Sequence, residues 1–168
     1  MCGGRRFFFN EPATTEIYLF PSTTLSDLDG AVYTFHLRDG LQWSTGEPIT
    51  AHDVVYSWRR AVDPATASDY AGMLFYVKNA EAINAGKITD LSQLGVRAIG
   101  DKTVRVELVA HTPFFLELCA FWTLAVVPEK AITRHGDQWC LQLPLPVSGS
   151  HTLEFWHVRD RVARKSVV

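Results

Sequence analysis

Between Thr50 and Pro64 the chain writes a helix of fixed length with one apolar side, and such a helix has to lie against something. Thr50-Ala51-His52-Asp53 opens it as a capping box, in which the Thr50 hydroxyl accepts from the first turn and the Asp53 carboxylate faces the positive helix end. Val54, Val55, Trp58 and Val62 supply the apolar stripe. Asp63-Pro64 stops the helix, because the residue before a proline is pushed out of the α region. The surface that this stripe needs is written on both sides of it. Ala31 to Arg38 alternates, with Tyr33, Phe35 and Leu37 on one face and Thr34, His36 and Arg38 on the other, and Asp39-Gly40 ends the strand. Gly95 to Ile99 and Thr103 to Val109 flank the turn Gly100-Asp101-Lys102, and Val104, Val106 and Leu108 alternate with Arg105 and Glu107, which predicts a β-hairpin. One-sided strands and a one-sided helix satisfy each other by layering. The expected fold class is α+β, a mainly antiparallel sheet covered on one face by helices.

Further helices are predicted from the same signals. One runs from about Asp69 to Ala85 on Met73, Leu74, Val77 and Ala80, with Gly86 as its left-handed cap. Thr112-Pro113 opens another, proline being tolerated where no backbone donor is needed, and Pro128 to His135 repeats the device and closes at Gly136. The apolar run Phe114 to Val127 has 14 residues with Glu117 inside, against roughly 20 for a bilayer helix, so it reads as a buried element. Trp58, Phe114, Phe115, Phe121 and Trp122 are accordingly assigned to the core. Trp43 and Tyr70 sit in turn-rich segments, where a side chain is freer to face a cleft. Residues 1–29 mix Gly, Arg, Pro, Ser and Thr without a period and include the turn cluster Ser26-Asp27-Leu28-Asp29-Gly30, so order is expected from about residue 30.

Composition excludes several functions. With 16 Lys+Arg against 18 Asp+Glu and no basic stripe, the chain lacks the field that draws nucleic acid, and none is expected as a partner. Cys2, Cys119 and Cys140 are odd in number and widely spaced, which writes neither a disulfide framework nor a C-x-x-C motif and leaves the redox compartment open. The six histidines are dispersed with no ligand spacing, so no metal site is expected. A nucleophile elbow, a P-loop, a dinucleotide fingerprint and H-E-x-x-H are all missing. Asp39, Glu47 and Asp53 are the carboxylates from which a hydrolase would have to draw an acid–base pair, but turn and cap duties account for Asp39 and Asp53. Two arginines before only three apolar residues near the start do not make a secretory leader, and Cys2 has no apolar run before it for lipid attachment.

The stretch Tyr33-Thr34-Phe35-His36-Leu37-Arg38-Asp39-Gly40, followed by Trp43-Ser44-Thr45-Gly46-Glu47-Pro48-Ile49-Thr50-Ala51-His52-Asp53, resembles the periplasmic oligopeptide-binding proteins of ABC importers. The W-S-x-G-x-P-x-T-A-x-D pattern is similar to that of the wider peptide, nickel and opine receptor family, extracellular solute-binding protein family 5. Val55-Tyr56-Ser57-Trp58-Arg59-Arg60 and Asp63-Pro64-Ala65-Thr66-Ala67-Ser68 resemble the oligopeptide branch. The likeness continues through the hairpin to Leu108, Thr112-Pro113-Phe114-Phe115, Val127-Pro128 and Gly136-Asp137-Gln138-Trp139.

The resemblance implies a receptor that captures short peptides between two lobes by hinge closure and hands them to membrane permease subunits, in the periplasm, with no cofactor and no catalytic step. It covers only the small domain beside the first lobe. Three segments are expected: an irregular N-terminal segment at 1–29, the α+β small domain at 30–140, and a disrupted return towards the first lobe at 141–168. Val147-Ser148-Gly149-Ser150-His151-Thr152-Leu153 and Trp156 resemble a damaged V-x-N-G-x-Y-x-L-x-x-W, one residue short, without the Asn and with His151 in the Tyr position. In the family the tyrosine of D-P-x-T-A-S-x-Y approaches the peptide, and the matching position, Tyr70, is the one expected ligand contact. The alternative is a truncated remnant, from a shortened or frame-disrupted gene, that folds and binds nothing.

Overall fold

The computed structural model describes residues 24–26, 31–149, 151–156 and 162–166. The strands are β1 Thr24–Ser26, β2 Val32–His36, β3 Val96–Ala98, β4 Thr103–Glu107, β5 His151–Trp156 and β6 Val162–Ser166. The helices are α1 Ala51–Val62, α2 Ala80–Asn84, α3 Phe115–Cys119 and α4 Glu129–His135. By packing, the described residues fall into two units, one within 19–39 and 50–127 and the other within 40–49 and 128–168. This division cuts across the span 30–140.

The first unit is the expected α+β layer. Its sheet has the order β1-β2-β4-β3, antiparallel throughout, with Tyr33 opposite Val106 and Phe35 opposite Val104. The alternation read from the sequence puts Tyr33, Phe35, Val96, Val104 and Val106 on the buried face. α1 packs on β3 and β4 and buries Val54, Val55, Trp58 and Val62. Each such side chain removed from water contributes about 1.5–3 kcal/mol. Phe115 closes this core, 5.2 Å from the Tyr33 ring and edge-on to Trp58 at 6.4 Å.

The caps behave as the spacing predicts. The Asp53 carboxylate accepts from the Thr50 backbone N–H at 2.8 Å and from the Thr50 hydroxyl at 3.0 Å, and the chain leaves the α region at Asp63, ψ 122°. Buried polar groups on α1 are satisfied by the segment after α3. Trp58 Nε1 donates to the Leu124 carbonyl at 3.0 Å, and the Ser57 hydroxyl accepts from the Val127 N–H at 2.9 Å.

Several sequence expectations are corrected. The helix expected over 69–85 is broken into a 3₁₀ turn at Ala71–Leu74 and the short α2. The intervening backbone is drawn to the sheet instead: Val77 bridges Leu108, and Lys78 N–H donates to the Glu107 carbonyl at 2.9 Å. Asn79, at φ 66°, then turns the chain into α2. β1 is an ordered strand inside the segment read as irregular, because β2 offers it a free edge. Residues 1–23 and 27–30, with Cys2 and most of the Ser26–Gly30 turn, lie outside the described residues. Of the run 114–127, Phe115, Cys119, Leu124 and Val126 are buried, but Phe114 and Trp122 are exposed, since the run is two short helical turns that each bury one side. Finally, Cys140 is disulfide-bonded, which the odd number and wide spacing of the cysteines did not signal.

In the second unit, the Trp43–Glu47 turn is closed by Trp43 N–H to the Glu47 carbonyl at 2.8 Å and by a bridge from Gln42 to Pro48. Trp43 is buried there, so it does not face a cleft. Ser44 ties the turn to the segment before β5: its N–H donates to the Val147 carbonyl at 2.8 Å, and its hydroxyl accepts from the Val147 N–H at 3.1 Å. α4 starts after Pro128 and ends at Gly136, φ 54°. β5 and β6 form an antiparallel hairpin with an irregularity between Leu153 and Phe155, so the segment read as a disrupted return carries regular structure of its own.

Candidate functional site

Two short turns of the first unit present aromatic rings to solvent. After Asp63-Pro64 stops α1, Pro64–Thr66 makes a 3₁₀ turn and Ala67 takes a left-handed conformation. The chain re-enters the core at Ala71 and Leu74, both buried, which leaves Tyr70 outside and 45% exposed. After α3, Leu124 anchors the Trp122–Leu124 turn, and Trp122 projects outward at 56% exposure.

The two turns meet. The Tyr70 ring lies 4.8 Å from Trp122 at 72° and 5.8 Å from Phe121, and Phe121 and Trp122 are 5.2 Å apart. Edge-on rings leave π faces open, suited to stacking on a planar or apolar group or to receiving a cation. Sequence reasoning singled out Tyr70 and missed its partners. Phe121 and Trp122 sit in an apolar run, and only the turn after α3 leaves Phe121 half-buried and Trp122 exposed. A second exposed pair, Tyr76 and Phe114, stands edge-on at 5.3 Å.

The carboxylates considered for acid–base work are held by structural partners. Asp39 pairs with Lys102, whose hydrogen bond and charge hold its carboxyl below the usual range. Asp53 caps α1, and Glu47 pairs with Lys130 at 3.2 Å within the second unit. Glu107 lies between Lys78 at 3.3 Å and Arg105 at 3.8 Å, beside an open depression of about 600 Å³. Cys119 is buried, and desolvation pushes its thiol up to about 12, the reverse of an activated nucleophile. Among the described residues no group of three or more His, Cys, Asp or Glu is placed to hold a metal ion, and no helix is long and apolar enough to cross a membrane.

Known proteins place this architecture. Residues 21–161 match the family of bacterial extracellular solute-binding proteins, family 5 (middle region), and the chain belongs to that family. It is 46% identical over 143 residues to the probable deoxycholate-binding periplasmic protein YgiS of Escherichia coli K12, covering 83% of this chain and 26% of that protein. It is 42% identical over 155 residues to the oligopeptide-binding protein OppA of Bacillus subtilis, covering 83% and 28%. Among solved structures, the substrate-binding domain of an oligopeptide ABC transporter from Bacillus anthracis superposes with a TM-score of 0.82 at 37% identity, over 87% of this chain and 28% of that one. OppA of Haemophilus influenzae in complex with the peptide RPPGFSPFR gives 0.82 at 34% identity, over 87% and 29%. The chain thus spans about a quarter of the length of the curated relatives it matches. The family resemblance and the α+β fold class read from the sequence are both borne out.

Proposed function

We propose that this chain is part of the solute-binding component of an ABC-type importer that takes up short peptides and delivers them to membrane permease subunits, working outside the cytoplasmic membrane. Residues 30–140 correspond in this reading to the small domain beside the first lobe, and 141–168 to the return towards that lobe. The observation that carries it is the family match over 21–161, joined by relatives whose names specify oligopeptide binding. The disulfide at Cys140 agrees with an oxidising compartment. The role is capture and release with no chemical step, so it calls for no catalytic residue and no cofactor.

Tyr70 is the proposed ligand contact. Its exposed phenol ring, held by Phe121 and Trp122, offers a peptide an apolar face and a hydroxyl. The experiment is an amide correlation spectrum of the labelled chain with and without a mixture of short peptides. Saturable shifts confined to Tyr70, Phe121 and Trp122, and lost in Tyr70→Ala, are expected. A spectrum indifferent to peptide supports the second reading, in which the domain folds and binds no peptide by itself. That reading is favoured by the matched region's being about a quarter of each relative. The name of the Escherichia coli relative adds one control, the same titration with deoxycholate.

A further inference from the structure

The outer side of α1 carries a cationic cluster that the receptor reading leaves unused. Tyr56, Arg59, Arg60 and Asp63 follow one another at helical spacings and therefore share a face. With Thr66 and Leu91 they line an open depression of about 380 Å³. Among the described residues, neither Arg59 nor Arg60 has an ion-pair partner, and Arg59 Nε is buried without a hydrogen-bond acceptor. The neighbouring carboxylates direct their hydrogen bonds to other groups, and the Asp90 charge acts on Arg59 only from beyond ion-pair distance. Asp63 accepts from the Ala65 N–H at 2.9 Å, and Asp90 accepts from the Ser92 N–H at 2.9 Å and from Gln93 Nε2 at 3.5 Å. A position in the last turn of α1 explains why cations are tolerated there, since they complement the negative helix end. It explains neither the unpaired Nε nor the depression, and buried donors are almost always paired.

We propose that this depression is an oxyanion site for a carboxylate or phosphate group. The Arg59 guanidinium lines the depression as a planar fork of N–H donors of the kind that planar oxyanions accept, and Arg60 supplies the second charge. The site is separate from the aromatic surface around Tyr70 and stands or falls without it.

The test titrates the labelled full chain with sodium acetate and, separately, with inorganic phosphate, ionic strength being held constant with chloride. Saturable shifts at Tyr56, Arg59, Arg60 and Thr66 in either arm support the site, and the arm that saturates at lower concentration identifies the group. Arg59→Lys keeps the charge and removes the fork, and is expected to weaken binding roughly tenfold, while Arg60→Gln weakens it with the fork intact. Unchanged peaks elsewhere establish that both variants are folded. Shifts that never saturate, that spread over the whole surface, or that persist undiminished in Arg59→Lys overturn the proposal.

Discussion

Phe115 and Trp122 lie close together in one apolar run, yet their rings have opposite fates. Phe115 has no exposed surface and touches Tyr33, Phe35 and Trp58, whereas more than half of Trp122 faces water. Phe115→Ala opens a cavity that three aromatic neighbours cannot collapse into, and is expected to cost about 3–5 kcal/mol in urea denaturation. Trp122→Ala is expected to cost under about 1 kcal/mol, as surface substitutions do, while removing the most exposed tryptophan among the described residues and its share of iodide quenching. A result in which Trp122→Ala destabilises as much as Phe115→Ala would place its ring in the core.

Cys119 yields a prediction with a sign. Burial raises its folded pKa to about 12, above the ordinary thiol value of 9.0, so the folded state keeps a proton that the unfolded state gives up. Stability from this thiol is fully present below pH 9 and declines as pH rises from there towards 12. A thiol reagent at pH 8 should therefore label Cys119 only when urea is added, and rapid labelling of the native chain would contradict its burial. The sequence could not separate these fates, because an apolar run states preference and not direction. The same limit hid Trp43, whose turn-rich surroundings suggested freedom while its ring is packed inside the second unit.

Elements with local punctuation were legible. The cap of α1, its stop at Asp63-Pro64, the hairpin around Gly100 and the ends of α4 follow from residues within a few positions of each boundary. The helix expected over 69–85 failed for a non-local reason, the pull of the sheet on Val77 and Lys78. Gly95 sits at that junction. Its N–H donates to the Lys78 carbonyl at 2.9 Å, its carbonyl accepts from the Glu107 N–H at 2.7 Å, and an added Cβ would lie 2.6 Å from the Glu107 carbonyl oxygen and 2.8 Å from Lys78 Cβ. Backbone cannot yield as a flexible side chain can. Gly95→Ala should cost about 1–3 kcal/mol by thermal unfolding, with exchange of the Lys78 and Gly95 amides accelerated first. An unchanged melting temperature would show that the three segments part easily.

For the whole molecule, the buried face of β2 and β4 with α1 across it should be the last part to open. Amides of Phe35, Val104, Val106 and Trp58 are expected to exchange only by global unfolding, and those of β5 and β6 through smaller openings. Equal protection of both regions would show one cooperative block. The candidate ligand surface was half legible at this scale: Tyr70 stood out through a family pattern, but its meeting with Phe121 and Trp122 depends on a turn-to-turn approach that no spacing encodes.

The pairing of β2 with β4 has a consequence for how the chain is made. His36 leaves the ribosome 67 residues ahead of Thr103, the residue it faces in the sheet. Throughout that interval Tyr33 and Phe35 have no β4 to cover them, and the nascent polypeptide presents a sticky, incomplete surface to whatever it meets. Folding therefore waits on translation, and the delay is a window in which chaperones that hold unfolded chains can act before the sheet closes.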